Sequence, residues 1–204
     1  MKKITVFTIF ALVAAAALAA ACSSGANTSA PANTNIAISN SKPINTAPPK
    51  SEDDTPASVK AAFPDAQSFT KLHKEITKEQ IAAIEKETNA KLPDTDHHSF
   101  AAFSTNSGAR KQIGAATIVK ANGKDIVIIY DNKEGRPFVK EIRADGVSND
   151  FLKQFAGKNH DDKFQIGSDL KAAGIDEALA KAVAEAVRVD AMTMQTLYGA
   201  PDKH

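Results

Sequence analysis

The stretch IGAATIVKANGKDIVIIY, residues 113–130, predicts two β-strands joined by a tight turn. Residues 113–121 and 125–130 are rich in β-branched side chains, which favour strands. Asn122 and Gly123 lie between them, and this pair tolerates the positive φ angles that a two-residue hairpin turn requires. The stretch therefore predicts an antiparallel hairpin.

The neighbouring sequence extends this hairpin into a sheet. Residues 100–105 form a short apolar run before it. After it, the segment 132–135 ends in Gly135 and marks a second turn, and residues 137–144 read as a further strand. This spacing predicts a meander of three to four antiparallel strands.

Helices are predicted on both sides of the sheet. Thr77 and Gln80 match a capping box, which predicts a helix over residues 77–89. Residues 150–156 form a second helix that Gly157 ends. The last helix spans residues 176–197, with an apolar stripe along one face. The fold class is therefore α+β, an antiparallel sheet with helices before and after it.

The N-terminus is typical of a secreted protein. Lys2 and Lys3 precede an apolar run of small residues that stops at Cys22, so we predict a signal peptide over residues 1–21. Ala19–Ala21 and Cys22 resemble a bacterial lipobox, whose cysteine is lipidated after cleavage. The alternative is ordinary cleavage after an Ala-x-Ala site. We expect lipidation at Cys22 and attachment to a membrane of the bacterial envelope, on the periplasmic or outer-membrane side.

The remaining chain divides into a tether and one domain. Residues 22–56 consist mainly of Ser, Ala, Asn, Thr and Pro, and such a segment buries too little apolar surface to fold. Residues 57–204 form a single domain. The formal charge of +1 falls to about −1 without Lys2 and Lys3. The chain therefore lacks the excess of basic residues that would indicate a nucleic-acid partner.

The C-terminal third resembles the closing part of the FMN-binding domain family. Three blocks carry the likeness: Phe151-Leu-Lys-Gln-Phe155 followed by Gly157, then Ile166-Gly-Ser-Asp169, then a turn at Gly174 before the final helix. Upstream, Phe63-Pro-Asp-Ala66, Gly114-Ala-Ala-Thr-Ile118 and Val139-Lys-Glu-Ile142 match in the same order. The resemblance covers most of residues 63–190. The family includes the flavin-carrying subunits of membrane NADH:quinone reductases and related extracytoplasmic electron carriers.

The resemblance implies a flavin site that this chain alters. The family places a Ser-Gly-Ala-Thr segment near the last helix, and its Thr is esterified to the FMN phosphate. Aligned without gaps from Asp169, the corresponding residues are Gly174, Ile175, Asp176 and Glu177, and no Ser or Thr occurs between Ser168 and Thr193. Glu177 therefore replaces the attachment Thr, and FMN, if bound, is held noncovalently.

Seven residues are candidates for noncovalent FMN binding, chosen for backbone N–H groups, side-chain donors or a counter-charge for phosphate. They are Asn122, Gly123, Gly167, Ser168, Asp169, Lys171 and Gly174. The first functional hypothesis is an envelope-anchored electron-transfer protein with a redox protein partner. The alternative is a flavin-free binding or scaffold module that keeps the fold but has lost cofactor attachment.

Other polar clusters carry weaker signals. His97 and His98, beside Asp94 and Asp96, have the side chains of metal ligands, and so does His160 beside Asp161. Adjacent side chains of an extended segment point in opposite directions, so we interpret both clusters as solvated loops and predict no metal ligand. No motif joins Ser, His and Asp in a catalytic arrangement, and we assign no catalytic residue.

Overall fold

The computed structural model of the protein describes residues 54–201. The predicted signal peptide, Cys22 and nearly all of the predicted tether lie outside this range. The helices are α1 (Ala57–Ala62), α2 (Lys78–Thr88), α3 (Asn149–Leu152), continued by a 3-10 turn (Lys153–Phe155), and α4 (Glu177–Tyr198). The strands are β1 (Ser68–Glu75), β2 (Asp96–Ser104), β3 (Lys111–Ala121), β4 (Lys124–Lys133) and β5 (Arg136–Arg143).

The five strands form one antiparallel sheet in the order β1-β2-β3-β4-β5. The α+β class and the antiparallel meander are confirmed, but the sheet has one strand more than the predicted maximum of four. The additional strand is β1, in which no residue is buried. Because Phe69 and Leu72 are only half-buried and three residues apart, the period-2 pattern of a half-buried strand is missing from this segment.

Local sequence signals fix several boundaries. The capping box at α2 is confirmed, since the Thr77 hydroxyl accepts a hydrogen bond from Gln80 N and the Gln80 side chain accepts one from Thr77 N. The predicted hairpin turn is also confirmed, with φ angles of 49° at Asn122 and 77° at Gly123. Glu134 and Gly135 repeat this geometry between β4 and β5.

Two apolar clusters lie on the two faces of the sheet. The larger joins β4 and β5 to α3 and α4, and includes the fully buried Phe151 and Phe155. The smaller packs Val59 of α1 and the nearby Phe63 against β2, β3 and β4. A Cβ on Gly114 would lie 2.6 Å from the Phe63 ring, so a glycine at this position of β3 allows the ring its close approach.

The two outer edges of the sheet are protected in different ways. On β5, Val139 N donates to Lys158 O and Val139 O accepts from Gly157 N, at 2.8 and 2.7 Å. The segment after the 3-10 turn therefore covers part of this edge. On β1, the exposed positions include Lys71, His73 and Lys74.

Strands β2 and β3 separate partway along their length. Their pairing ends with Phe100 opposite Ala116. Beyond this pair, residues 96–99 of β2 pair only with β1, and residues 117–121 of β3 pair only with β4. We call the gap between these two segments the fork. It opens toward α4 and positions the site described next.

Candidate functional site

A buried carboxylate, Asp190, lies on the apolar face of α4. Val183, Val187, Asp190 and Met194 follow one another at spacings of four, three and four residues, so they share one face of the helix. All four are buried, with Asp190 only 5% exposed. An acidic side chain is almost never buried without partners, so its contacts define a site.

Three side chains from three strands donate hydrogen bonds to Asp190. The Thr117 hydroxyl on β3 and the Tyr130 hydroxyl on β4 lie 2.6 and 2.7 Å from Oδ2. His97 Nε2 on β2 lies 3.2 Å from Oδ1. Since His97 and Thr117 belong to opposite sides of the fork, Asp190 bridges the two strands where their own pairing has ended.

Tyr130 is held in its protonated, donating form. Burial raises the pKa of the Tyr130 hydroxyl well above its ordinary value, and the charge of Asp190 and the hydrogen bond to it raise this pKa further. The neighbouring Thr117 hydroxyl lowers the pKa of Tyr130 but does not outweigh these effects. Tyr130 therefore donates to the carboxylate rather than competing with it for a proton.

His97 uses one ring nitrogen and leaves the other without a hydrogen bond. Nε2 faces Asp190, whereas Nδ1 is buried and has no hydrogen-bond partner within residues 54–201. The neighbouring His98 is exposed on the other face of β2, where it stacks on His73 with the ring centroids 4.8 Å apart. The predicted solvated loop at this position is therefore wrong, because both histidines lie in β2 and His97 is 8% exposed.

A cavity of about 570 Å³ occupies the fork, and we call it the fork cavity. Its apolar walls come from the residues just before α2 and β2, from β3 and from α4. They include Ile76, Leu92, Val119, Ala186 and Val189. His97 and Asp190 line it as well. Apolar walls with a few convergent polar groups are typical of small-molecule sites, which measure about 300–1,000 Å³.

Of the seven predicted cofactor-binding residues, only Asn122 lines the fork cavity. Gly123 occupies the adjacent turn position. The other five, Gly167, Ser168, Asp169, Lys171 and Gly174, belong to the long loop between the 3-10 turn and α4. The structure therefore does not bring the seven residues together around one cavity.

Much of the hydrogen bonding in this loop is internal. Asp169 Oδ1 accepts from Gln165 N at 2.6 Å and from the Ser168 hydroxyl at 3.1 Å. Lys171 N donates to the Gln154 side chain, which donates back to Lys171 O, at 2.8 and 2.9 Å. Gly174 has a φ of 67°, and a Cβ there would lie 3.0 Å from the Ser148 hydroxyl. These contacts fix the loop against the 3-10 turn and Ser148.

The first turn of α4 is occupied by its own carboxylates. Asp176 Oδ1 accepts hydrogen bonds from Ala178 N and Leu179 N, at 3.0 and 3.1 Å. Glu177 forms an ion pair with Lys181 at 2.7 Å. Carboxylates at a helix N-terminus interact favourably with its dipole and use the N–H groups that an incoming phosphate needs. The residues present here do not fit an attached FMN.

Asp169 provides a pH-dependent contribution to stability. Burial on its own would raise the pKa of Asp169, but the hydrogen bonds from Gln165, Ser168 and its own backbone, together with the charge of Lys158, hold this pKa below 3.8. A lowered folded-state pKa stabilises the protein above the unfolded-state pKa, and this stabilisation is lost as the pH falls through the folded-state pKa.

We therefore expect Asp169→Asn to lower the free energy of unfolding at pH 7 by about 1–3 kcal/mol, the range for hydrogen bonds to charged groups. Urea unfolding at pH 7 and at pH 3 measures the effect, with Asp150→Asn as the control because that side chain is 83% exposed. The difference between Asp169→Asn and the wild type should shrink at the lower pH. An equal difference at both pH values would contradict the prediction that the stabilisation comes from the charge of Asp169.

A second cavity, of about 1,040 Å³, lies between the end of α2 and the loop around His160. Arg188 lines it and donates to Thr88 O and Glu87 O, at 3.1 and 2.7 Å. Cations near the last carbonyls of a helix stabilise it, so Arg188 has a structural role at α2. The predicted solvation of His160 is wrong, since its side chain is 6% exposed.

Two further properties concern residues 54–201. No three His, Cys, Asp or Glu side chains in it are grouped so that they hold a metal ion. None of its helices combines the length and the apolar character that a membrane span requires.

Sequence patterns did not identify Asp190, Thr117 and Tyr130 as site residues. One signal for Asp190 was present: a single acid at a core position of the apolar stripe on α4. Its partners lie 60, 73 and 93 residues away in the chain. The proximity of these partners to Asp190 follows only from the strand order and from the position of the fork.

Comparisons with protein families, with curated proteins and with solved structures returned no match for this chain.

Proposed function

We propose that this chain is a flavin-free binding or scaffold module of the bacterial cell envelope, tethered through a lipid on Cys22. Its layout resembles that of the FMN-binding domains, but Glu177 stands at the attachment position in α4. The fork cavity is the binding site of this module. It combines apolar walls with a buried polar atom, His97 Nδ1, that lacks a hydrogen-bond partner within the described residues.

The start of α4 is the observation that carries this proposal. The N–H groups of Ala178 and Leu179 are bonded to the Asp176 carboxylate, and Glu177 stands where the resemblance requires a hydroxyl. A flavin phosphate at this position would meet two carboxylates instead of free donors. Electrostatic repulsion and the missing nucleophilic oxygen both oppose attachment.

We expect the full chain to stay free of covalent flavin when it is expressed with FMN and the family's attachment enzyme. Mass spectrometry of the α4 peptide and in-gel fluorescence after denaturation measure the modification. A flavin on the wild-type peptide would overturn the proposal.

A variant that rebuilds the family segment provides the positive control. It combines Gly174→Ser, Ile175→Gly, Asp176→Ala and Glu177→Thr, which restores the hydroxyl and removes both acids. We expect this variant to acquire FMN on residue 177 under the same conditions. If it stays unmodified while folding normally, the resemblance to the FMN-binding family loses its support.

A second candidate function is electron transfer with noncovalent FMN and a redox protein partner. The observation that favours it is the position of Asn122, Lys91 and Lys120 at the fork cavity, where apolar walls can hold a flat ring and the cations can face a phosphate. The flavin would supply the redox chemistry, and the chain would position it.

Titration with FMN separates the two candidates. Noncovalent carriage predicts saturable quenching of flavin fluorescence that Lys120→Gln weakens. Lys153→Gln is the matched control, because both lysine side chains are 78% exposed and only Lys120 lines the cavity. The flavin-free module predicts no saturable quenching with any of these proteins.

A further inference from the structure

The rim of the fork cavity carries more unbalanced acids than bases. Asp94 and Glu185 line it together with the deeper Asp190, and so does Asp96, which lies 3.4 Å from His73 Nε2. The two lysines at the rim already face carboxylates outside the cavity, since Lys91 pairs with Glu85 at 2.8 Å and Lys120 pairs with Asp125 at 2.6 Å. The electrostatic potential inside therefore favours a cation over an anion.

His97 supplies a hydrogen-bond acceptor in this acidic setting. Its side chain is 9% exposed and lines the cavity. A carboxylate can only accept, so Nε2 carries the hydrogen that lies between His97 and Asp190. In the neutral ring, Nδ1 then holds a lone pair, and it is buried without a hydrogen-bond partner within the described chain. A ligand that satisfies Nδ1 must bring an N–H or O–H donor.

Asp190 adds a reason for that donor to be charged. Its three hydrogen-bond donors are Thr117, Tyr130 and His97, and the two hydroxyls carry no charge. Burying a carboxylate among neutral donors costs free energy unless a cation lies nearby. A cationic donor bound to Nδ1 would offset this charge across the imidazole ring.

We propose that the fork cavity binds a small amphipathic amine. The protonated amine donates to His97 Nδ1 and is attracted by Glu185 and Asp94 at the rim, and the apolar body packs against Ile76, Leu92 and Val189. This inference rests on the proposed function, because it names the ligand class of the same binding site. It requires no flavin and no residue of α4's first turn.

Three six-carbon probes test the polarity of the site on the full chain: hexylamine, hexan-1-ol and sodium hexanoate. NMR titration at neutral pH follows the His97 ring protons and the methyl groups of Ile76, Leu92 and Val189. We expect saturable shifts with hexylamine, with affinity at least tenfold above that for either other probe. Equal or tighter binding of hexanoate, or shifts that bypass His97, would overturn the proposal.

Variants locate the binding without relying on His97 alone. Ala186→Phe fills the cavity from α4, one helical turn before Asp190, and it should abolish hexylamine binding. Glu185→Gln removes an exposed rim charge and should weaken binding about threefold. Glu177→Gln removes an exposed acid of the same helix that does not line the cavity, and it should bind like the wild type. Unchanged binding in Ala186→Phe would place the amine elsewhere.

These outcomes are separable from those of the flavin experiments. If hexylamine does not bind a chain that carries no flavin, the proposed ligand class is wrong. The proposal of a flavin-free module is not affected by that result. A flavin on α4 overturns the module, whatever the amine does.

Discussion

Asp190→Ala is expected to lower the free energy of unfolding by about 3–5 kcal/mol, the range for breaking a buried polar cluster by removing one partner. The substitution leaves the Thr117, Tyr130 and His97 donors in an apolar interior without an acceptor. It also removes the side chain that bridges His97 and Thr117 across the fork. Because small domains are stable by about 5–15 kcal/mol, the loss should be obvious in urea or thermal unfolding.

Two comparisons make this prediction specific. Asp150→Asn alters an acid that is 83% exposed and should change stability by less than about 0.5 kcal/mol. Tyr130→Phe removes a single donor and should cost about 0.5–1.5 kcal/mol. If Asp190→Ala cost no more than Tyr130→Phe, Asp190 would not be the centre of the cluster.

Phe155→Ala is expected to cost about 3–5 kcal/mol through the cavity that it leaves. The ring is fully buried and packs between Phe151, with centroids 5.2 Å apart, and Phe164, with centroids 5.9 Å apart. The backbone of Phe155 also accepts from Lys158 N, beside the segment that covers β5. The loss should therefore loosen that segment as well.

Phe69→Ala serves as the matched control, because Phe69 on β1 is only half-buried. It should cost about half as much or less, since less apolar surface is removed from the interior. Hydrogen exchange at Gly157 and Val139 measures the loosening in Phe155→Ala. Full protection of these amides would contradict the role of Phe155 in fixing the β5 edge.

The elements that sequence patterns predicted are those whose signals are local. The β3–β4 hairpin rests on two β-branched runs and on Asn122-Gly123, and α2 rests on the Thr77 box. The amphipathic period of α4 likewise predicts its packing face. The β1 strand was missed because its side chains face solvent and its pairing with β2 is stabilised by backbone hydrogen bonds, which no side-chain pattern records.

The site was less predictable than the fold for a related physical reason. Asp190 gains its partners only when three strands and α4 come together, and the fork exists because pairing stops after Phe100. The resemblance, in contrast, indicated residues such as Asp169 and Lys171, whose observed hydrogen bonds involving side chains stay within their loop or reach Gln154 in the 3-10 turn. The observed hydrogen bonds of Asp169 and Lys171 hold their loop in place, and the chemically unusual buried group is Asp190.

The protected edges of the sheet have a consequence for a protein held at high density on a surface. Edge strands with free backbone groups promote aggregation by pairing with strands of neighbouring molecules. Here the backbone of Val139 on β5 is already bonded within the chain, and the exposed lysines on β1 repel a second copy of the same edge. On the envelope surface that we propose for this chain, both features would oppose pairing of neighbouring copies through their sheets.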